Sequence, residues 1–314
     1  MRATLIAMGP MVVGLGVFQI NTLLDGLIAY GLAAPEVAAG VTADDIRGLE
    51  LFGRDLEYPV SAGAMAELTA AQRLYQFPLG VFGIAIATAI FPALAAAGRI
   101  EQREEFSAIV RRGVRLTWFI GLPAAVGLVL VREPLVRVVF ERGAFTLDDA
   151  RSVSWVLLGY GSAIWAYSLT HVLTRAFYAR DDAVTPLVVA VGMVAVNLTL
   201  NLTLIWPLGT AGLAWSTAIS ATAQCLVLIT LLSKHADEPL GRGVLGAWGK
   251  TAVAAGAMAA VLLAMRWLNP SESLSWAGAL ALVCVMVPAG AAVFVAVAMG
   301  LRCRELRWLV QRGV

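Results

Sequence analysis

Five strongly polar side chains lie within apolar stretches of this sequence, where they could bind a charged ligand. They are Asn21, Asp25, Arg73, Gln76 and His171. A charged side chain inside a bilayer costs about 2.5 to 3.5 kcal/mol on insertion scales, so such a position marks a binding site or an internal pairing. We therefore take the five as candidate substrate-binding residues that line a cavity between helices.

Arg73 carries the most specific chemistry of the five. It lies between Gln72 and Gln76, shortly before the segment Phe77-Pro78-Leu79-Gly80. A guanidinium group stays charged and presents a planar fork of donors that matches a phosphate group. The functional interpretation is an anion contact in a polar cavity. The structural alternatives are a salt bridge with Asp25 or snorkelling to the outer interface.

A stripe of polar and aromatic side chains recurs every three to seven residues further along the chain. The stripe consists of Tyr160, Tyr167, His171, Thr174 and Tyr178. Residues at this spacing share one helix face, which suits a bundle seam or a cavity wall. For His171 a packing role is favoured over a proton relay. Arg175, one turn beyond it, faces either an inner vestibule or the lipid headgroups.

Two asparagines, Asn197 and Asn201, stand four residues apart in another apolar stretch. Hydrogen bonding between helices is the favoured interpretation of this pair over a ligand site. Gly209, Gly212 and Ser216 follow in an arrangement typical of closely packed helices. The two asparagines and the three small residues thus predict a tightly packed helix pair.

Several function classes find no support in the sequence. It contains no nucleophile elbow, P-loop, pair of catalytic carboxylates or metal-ligand spacing, so it indicates neither an enzyme nor a cofactor. The cysteines Cys225, Cys284 and Cys303 are an odd number and lack a zinc-type spacing. A net charge of +2 with scattered basic residues does not indicate nucleic-acid binding.

The elements that hold these residues are predicted to be transmembrane helices. Hydrophobic residues make up 60% of the chain and charged residues 14%, against roughly 25% charged in a soluble domain. The mean hydropathy is +0.80. Eight stretches are long and apolar enough to span a bilayer: 4–31, 64–96, 114–132, 152–179, 185–206, 210–233, 247–268 and 274–300. We expect an all-α integral membrane protein, with a kink at Pro78 and Pro92 in the second span.

The chain divides into four regions. Residues 1–31 form the first helix, and residues 32–63 a polar, acidic periplasmic insertion. Residues 64–233 hold helices two to six, and residues 234–314 the last two helices with a basic cytoplasmic tail. Within the third region, segments 99–115 and 133–150 are amphipathic, which predicts helices that lie on the membrane surface.

Basic residues predict the orientation. With eight spans, fifteen Lys and Arg residues fall on the side of the termini and seven on the other, so both termini are expected in the cytoplasm. The first span begins after Arg2 and resembles a signal peptide, but it carries Gln19, Asn21 and Asp25. Since it is also about twice the usual length of a signal sequence, we interpret it as a retained helix.

Many of these segments, in this order, resemble the MurJ/MviN family of proposed lipid II flippases. This family belongs to the multidrug/oligosaccharidyl-lipid/polysaccharide exporter superfamily. The matching stretches are Met8-Gly9-Pro10, Gln19-Ile20-Asn21-Thr22-Leu23-Leu24-Asp25, Arg73-Leu74, residues 77–85, Pro134-Leu135, residues 140–146, residues 176–182, Thr185-Pro186, Asn197, Asn201 and residues 209–213. The resemblance covers almost the whole chain and is faintest after residue 240.

The resemblance implies a flippase of the bacterial cytoplasmic (inner) membrane that moves a lipid-linked peptidoglycan precursor to the outer leaflet by alternating access. Arg73 falls on the family's cavity arginine, thought to contact the substrate's diphosphate, and Asp25 on a common acidic position. Three features depart from the family. First, only the last eight of its fourteen helices are represented, so the first of two lobes is absent. Second, Gln76 stands where the family often has an acidic residue and His171 where it has a lysine, and third, residues 32–63 replace a short loop.

Three alternatives to this function stay open. The chain could export another polyprenyl-linked glycan, or a small cationic drug, although Arg73 argues against a cationic substrate. It could also be a truncated membrane scaffold that does not transport. The partners implied are a lipid-linked oligosaccharide, membrane lipids and a separately encoded N-terminal lobe.

Overall fold

The computed structural model describes residues 2–35, 49–51, 54–99, 103–234, 243–269 and 274–310. These residues form a bundle of helices and one two-stranded hairpin. The helices are α1 (Arg2–Gly31), α2 (Ala64–Pro78), α3 (Ala85–Arg99), α4 (Arg103–Phe140), α5 (Leu147–Ser162), α6 (Ile164–Tyr178), α7 (Val184–Leu208), α8 (Thr210–Ser233), α9 (Val244–Leu268), α10 (Trp276–Gly300) and α11 (Arg304–Val310). The strands β1 (Leu49–Leu51) and β2 (Arg54–Leu56) pair in antiparallel fashion.

Helices occupy all eight positions that the sequence predicted as spans. Within the described residues, seven helical segments from Ala64 onward are long and apolar enough to cross a membrane. The first helix, α1, continues for 30 residues. The prediction of an all-α, multi-pass membrane bundle is therefore confirmed.

The second span changes its backbone geometry directly after Pro78. A π-helical segment, Leu79–Ile84, separates α2 from α3. Proline has no N–H to donate to the preceding turn, so a change of hydrogen-bond pattern beside it is expected. The hydrogen-bond pattern thus changes beside Pro78, whereas α3 continues as an α-helix through Pro92; the kink itself stays a prediction.

The segments predicted as surface-lying helices on either side of the third span belong to one longer helix. One continuous helix of 38 residues, α4, contains the described part of segment 99–115, the whole third span and the start of segment 133–150. Its apolar stripe packs against other helices rather than lipid: Phe106 and Val110 are buried at one end and Val136 at the other. At 1.5 Å per residue, α4 is roughly 57 Å long and extends beyond the hydrocarbon core.

The fourth span is broken into two helices at Ala163, whose backbone leaves the helical region. The break places Tyr160 on α5 and Tyr167 on α6, and both aromatic rings pack on Tyr75 of α2. His171, further along α6, is instead exposed. The predicted stripe is therefore a bundle seam at its first two tyrosines and not one continuous face.

The far end of the polar connection after α1 pairs with the residues that directly follow α1. The Ala34 backbone N–H donates to the Val60 carbonyl at 3.0 Å, and Ala33 pairs with Val60 in a parallel bridge. The hairpin of β1 and β2 lies between these two points. Residues 36–48 of the predicted insertion lie outside the described residues.

Among the residues that the structure describes, the buried apolar side chains form three clusters. One joins α3, α4, α6 and α8, and the second joins α2, α5 and their neighbours. The third lies between α4, α9 and α10 and includes Phe119, Met258 and Phe294. Helices α9 and α10 pack on each other and on α4.

Polar contacts join the C-terminal helices to α4 at both ends of this third cluster. At one end Arg266 pairs with Glu133, and Arg137 Nη2 donates to the Leu274 carbonyl at 2.8 Å. At the other end Arg115 forms an ion pair of 2.6 Å with Glu305 of α11. The Arg112 and Arg115 guanidinium groups each lie 5.1 Å from the ring of Trp308, also on α11.

Helices α7 and α8 meet in a tight turn built on glycine. Gly209 has a φ of +57°, a conformation that side chains disfavour. A Cβ on Gly212 would lie 2.6 Å from the Leu204 carbonyl carbon and 2.9 Å from the Ile205 nitrogen. The close packing predicted at these glycines is confirmed.

Replacing Gly212 with alanine is expected to lower the free energy of unfolding by about 1 to 3 kcal/mol, because the new methyl group must displace the backbone of α7. Thermal unfolding of the purified protein in detergent measures the loss. Gly192→Ala is the matched control, since a Cβ there meets open space. Equal midpoints for the two variants would contradict the packing described here.

Candidate functional site

A buried cluster of polar side chains surrounds the carboxylate of Asp25. Asn201 Nδ2 donates to Asp25 Oδ1 at 2.6 Å, and the Thr217 hydroxyl donates to Asp25 Oδ2 at 3.2 Å. The amide of Asn197 extends the cluster, since its Oδ1 accepts from Asn201 Nδ2 at 3.0 Å and its Nδ2 donates to Thr217 at 3.3 Å and Ser220 at 3.4 Å. Asp25, Asn197 and Asn201 are each at most 2% exposed.

Three helices bring these groups together. Asn197 and Asn201 lie one turn apart on α7, so both project from the same face. This face packs on α1, which carries Asp25, while the tight turn at Gly209 returns α8 along α7. The interhelical hydrogen bonds predicted for the two asparagines are confirmed.

A second polar layer joins α5 to α2. Gln72 Nε2 donates to the hydroxyl of Tyr160 at 3.3 Å. The Tyr160 ring stacks on Tyr75 at a centroid distance of 4.9 Å, and Tyr75 also meets the ring of Tyr167 at 5.5 Å. Tyr75 and Tyr160 are each at most 2% exposed, so these rings fix the inner face of α2 in the bundle.

Arg73 projects from the opposite face of α2, and Gln76 lies one turn after Gln72; both side chains are exposed. Neither side chain takes part in the Asp25 cluster, whose carboxylate oxygens bond Asn201 and Thr217 instead. Both partners of the predicted Arg73–Asp25 salt bridge lie in the described part of the chain, and no such pair forms between them. The inner face of α2 is thus held in the bundle, and the Arg73 guanidinium projects from its exposed face.

The two remaining candidate residues, Asn21 and His171, lie on other helices than Arg73. Asn21 is half-buried one turn before Asp25 on α1, and among the described residues its buried Oδ1 has no hydrogen-bond partner. His171 is exposed on α6, four residues before the half-buried Arg175.

The Asp25 cluster holds one formal negative charge among neutral amide and hydroxyl groups. Within the described residues no three His, Cys, Asp or Glu side chains group together, so the site is unlike a zinc or dicarboxylate centre. Charge inside a low-dielectric bundle is costly, and each hydrogen bond to the carboxylate reduces that cost. A single positive charge, as a proton on the carboxyl group or as a cation held by oxygen atoms, would neutralise the cluster.

Sequence reasoning missed the members of this cluster that lie on α8. Thr217 and Ser220 are common residue types in membrane helices, and no motif distinguishes them. Their spacing does contain a signal, because Thr217 and Ser220 lie three residues apart and so share a face. That face becomes informative only once α8 is known to pack on α7.

Comparison with known proteins places this geometry in a family. The family model described as lipid II flippase MurJ matches residues 1–277. A probable lipid II flippase MurJ of Rhizobium meliloti (strain 1021) is 36% identical over 255 residues, covering 80% of this chain and 48% of the relative. One of Vibrio cholerae is 31% identical over 254 residues, covering 81% and 43%.

The fold is similar to that of a solved structure. A solved structure of lipid II flippase MurJ in an inward closed conformation superposes with a TM-score of 0.69 at 20% identity. The match covers 93% of this chain and 53% of the solved one. With a family model that extends over most of its length, the chain belongs to the MurJ family of lipid II flippases, and it spans about half the length of the curated relatives it matches.

Proposed function

We propose that this chain forms the C-terminal lobe of a lipid II flippase in the bacterial cytoplasmic membrane. In this proposal the lobe lines one side of a cavity through which lipid-linked peptidoglycan precursor moves from the inner to the outer leaflet. The observation that carries it is the exposed Arg73 guanidinium on an anchored helix, in a chain of this family. A planar donor fork so placed suits the diphosphate of the substrate.

The packing of α2 supports this role for Arg73. Its inner face is fixed by the Tyr75–Tyr160 stack and by the Gln72 hydrogen bond, so the outward face is held in a defined direction. The π-helical segment Leu79–Ile84 follows within two turns. Such segments often mark hinges, and a hinge here would let α2 and α3 tilt against each other during alternating access.

The remaining parts of the proposal concern orientation and partner. Fifteen of the Lys and Arg residues fall on the side of the termini and seven on the other, which supports cytoplasmic termini. Since the chain spans about half of its relatives, a first lobe would complete the cavity. Asn21, Asp25, Gln76 and His171 stay proposed as further cavity or coupling residues.

Replacing Arg73 with alanine in the reassembled two-lobed protein is expected to abolish growth of flippase-depleted cells, because the substrate's diphosphate loses its guanidinium contact. Arg73→Lys keeps the charge but not the planar fork and should restore growth only in part. The measurement combines colony counts with enzymatic labelling of lipid II on the outer leaflet.

Arg307→Ala is the matched control, since Arg307 is exposed on α11 and outside the bundle face that carries Arg73. Full growth with Arg73→Ala would overturn the anion contact. A two-lobed protein that reaches the membrane without externalising lipid II would instead favour a different glycan or the non-transporting scaffold.

A further inference from the structure

A small cavity lies between α3 and α4, beside the basic residues that precede the third span. Its volume is about 70 Å³. Six residues line it: Ile90, Ala93, Ile109, Arg112, Gly113 and Leu116. None of the six lies on α1, α2, α7 or α8, so the cavity is separate from the Asp25 cluster and from Arg73.

The cavity is a notch between two packed helix faces. Ile109, Gly113 and Leu116 follow one another at spacings of four and three residues, so they share one face of α4. Ile90 of α3 packs directly on Gly113, because a Cβ at this glycine would lie 2.7 Å from Ile90 Cδ1. Ala93, one turn further along α3, is exposed. The notch therefore opens to the outside of the bundle beside Ala93.

The walls of the notch suit a hydrocarbon chain better than water. A buried water molecule needs two to four polar partners, and five of the six lining residues have no polar side-chain atom. A space of this size takes a few methylene groups of one chain rather than a whole ligand. The surrounding bilayer supplies such chains.

Arg112 places a positive charge where the headgroup of such a lipid would lie. It comes two residues before the predicted span 114–132, whereas Leu116 lies about 6 Å further along the helix, within that span. The Arg112 guanidinium carbon lies 5.1 Å from the centre of the Trp308 ring, which helps to hold it in place. A guanidinium group carries five N–H donors, so it can bind a phosphate in addition to this ring contact.

We propose that this notch binds an anionic phospholipid of the leaflet on the side of the C-terminus. The lipid phosphate contacts Arg112, and the first methylene groups of one acyl chain lie against Ile90 and Gly113. Moving the chain from the bilayer into the notch is nearly neutral, because both surroundings are apolar. The contact between guanidinium and phosphate therefore supplies the selectivity, and it favours a headgroup with net negative charge over a zwitterionic one.

The test uses the 314-residue chain in nanodiscs of phosphatidylcholine. A small fraction of the lipid is phosphatidylglycerol that carries a photoactivatable group near the carboxyl end of one acyl chain. After illumination, mass spectrometry of peptides measures the labelling yield along the chain. We expect the α3 and α4 peptides that line the notch to be labelled about threefold to tenfold more than the lipid-exposed peptides of α10. A phosphatidylcholine probe should not show this enrichment.

Two pairs of variants separate the notch from general contact with lipid. Arg112→Gln should lower the yield at the notch about tenfold, the equivalent of one charge-assisted hydrogen bond. Arg307→Gln removes the same charge from an exposed position of α11 and should leave the yield unchanged. Ala93→Phe fills the notch from α3 and should also lower the yield, whereas Ala252→Phe, at an exposed position of α9, should not.

Labelling of the notch that stays at the wild-type yield in Arg112→Gln or in Ala93→Phe overturns the proposal. Equal enrichment with the phosphatidylcholine probe does so as well. If Arg112→Gln does not fold, Ala93→Phe and the comparison of the two probes decide the matter. Loss of labelling in millimolar inorganic phosphate would mean that Arg112 binds the free ion and not a lipid headgroup. Labelling needs no transport, so its failure is distinguishable from failure of the Arg73 growth test.

Discussion

Replacing Asn201 with leucine should lower the free energy of unfolding by about 3 kcal/mol, because the variant removes the shortest hydrogen bond to a buried carboxylate. Asn201 is fully buried, and its Nδ2 lies 2.6 Å from Asp25 Oδ1 and 3.0 Å from Asn197 Oδ1. Leucine has a similar volume, so the loss reflects unsatisfied polar groups more than a cavity. Thermal or denaturant unfolding in detergent measures the change.

The control for this prediction lies on the same helix. Thr203 is exposed on α7 and its hydroxyl bonds backbone carbonyls of its own helix, so Thr203→Leu should cost little. A mutant cycle with Asp25→Asn isolates the contact: Asn201→Leu should cost about 1 to 2 kcal/mol less when the carboxylate is already gone. Equal costs in both backgrounds would mean that Asn201 does not stabilise the Asp25 charge.

Replacing Glu305 with leucine is expected to detach α11 from α4, at a cost of about 3 kcal/mol to that local contact. Glu305 is 2% exposed, and its oxygen lies 2.6 Å from Arg115 Nη2 and 2.8 Å from Arg115 Nε. Removal of the carboxylate leaves the Arg115 guanidinium half-buried without its counter-charge. The ring contact with Trp308 offsets only part of this loss.

Cys303 reports the detachment of α11, since it precedes this helix and is 4% exposed. Burial, followed by the negative charge of Glu305, raises the pKa of the Cys303 thiol above its usual value. With Cys225 and Cys284 replaced by alanine, alkylation of Cys303 should accelerate by up to about a hundredfold in Glu305→Leu.

The pH dependence of this alkylation supplies a second measurement. A raised pKa means that less thiolate is present at neutral pH, so wild-type alkylation should rise only at more alkaline pH. In Glu305→Leu the half-maximal pH should fall toward that of an ordinary thiol. Glu104→Gln, at an exposed acid near the start of α4, is the control and should leave rate and profile unchanged.

The positions of the membrane helices could be predicted from sequence because each span is a long apolar run, and that signal is local. The continuity of α4 could not. An apolar stripe such as Phe106 and Val110 looks the same whether it faces lipid or another helix. Only the packing partners, which lie far away in the chain, decide between a surface helix and a bundle helix.

In the candidate site, too, one part could be predicted from local spacing and another depends on residues far apart in the chain. The spacing of Asn197 and Asn201 was sufficient to predict interhelical hydrogen bonds, because both side chains must share a face. The pairing of Asn201 with Asp25 joins residues 176 positions apart, which no spacing rule reaches. The break at Ala163, which separates Tyr160 from Tyr167, follows two glycines rather than a proline and gave no clear sequence signal.

The cluster between α4, α9 and α10 bears on the order in which the protein is assembled during synthesis. The ribosome completes α4 about a hundred residues before α9 emerges, so one face of α4 first meets lipid. For its apolar side chains this exchange is nearly neutral, because lipid is as apolar as a neighbouring helix. Arg115 and Glu133, however, form ion pairs with Glu305 and Arg266 of the late helices, and Arg137, which pairs with Glu141 on α4, also binds the Leu274 carbonyl. We expect these polar contacts, more than the apolar packing, to stabilise the association of α9 and α10 with the rest of the bundle.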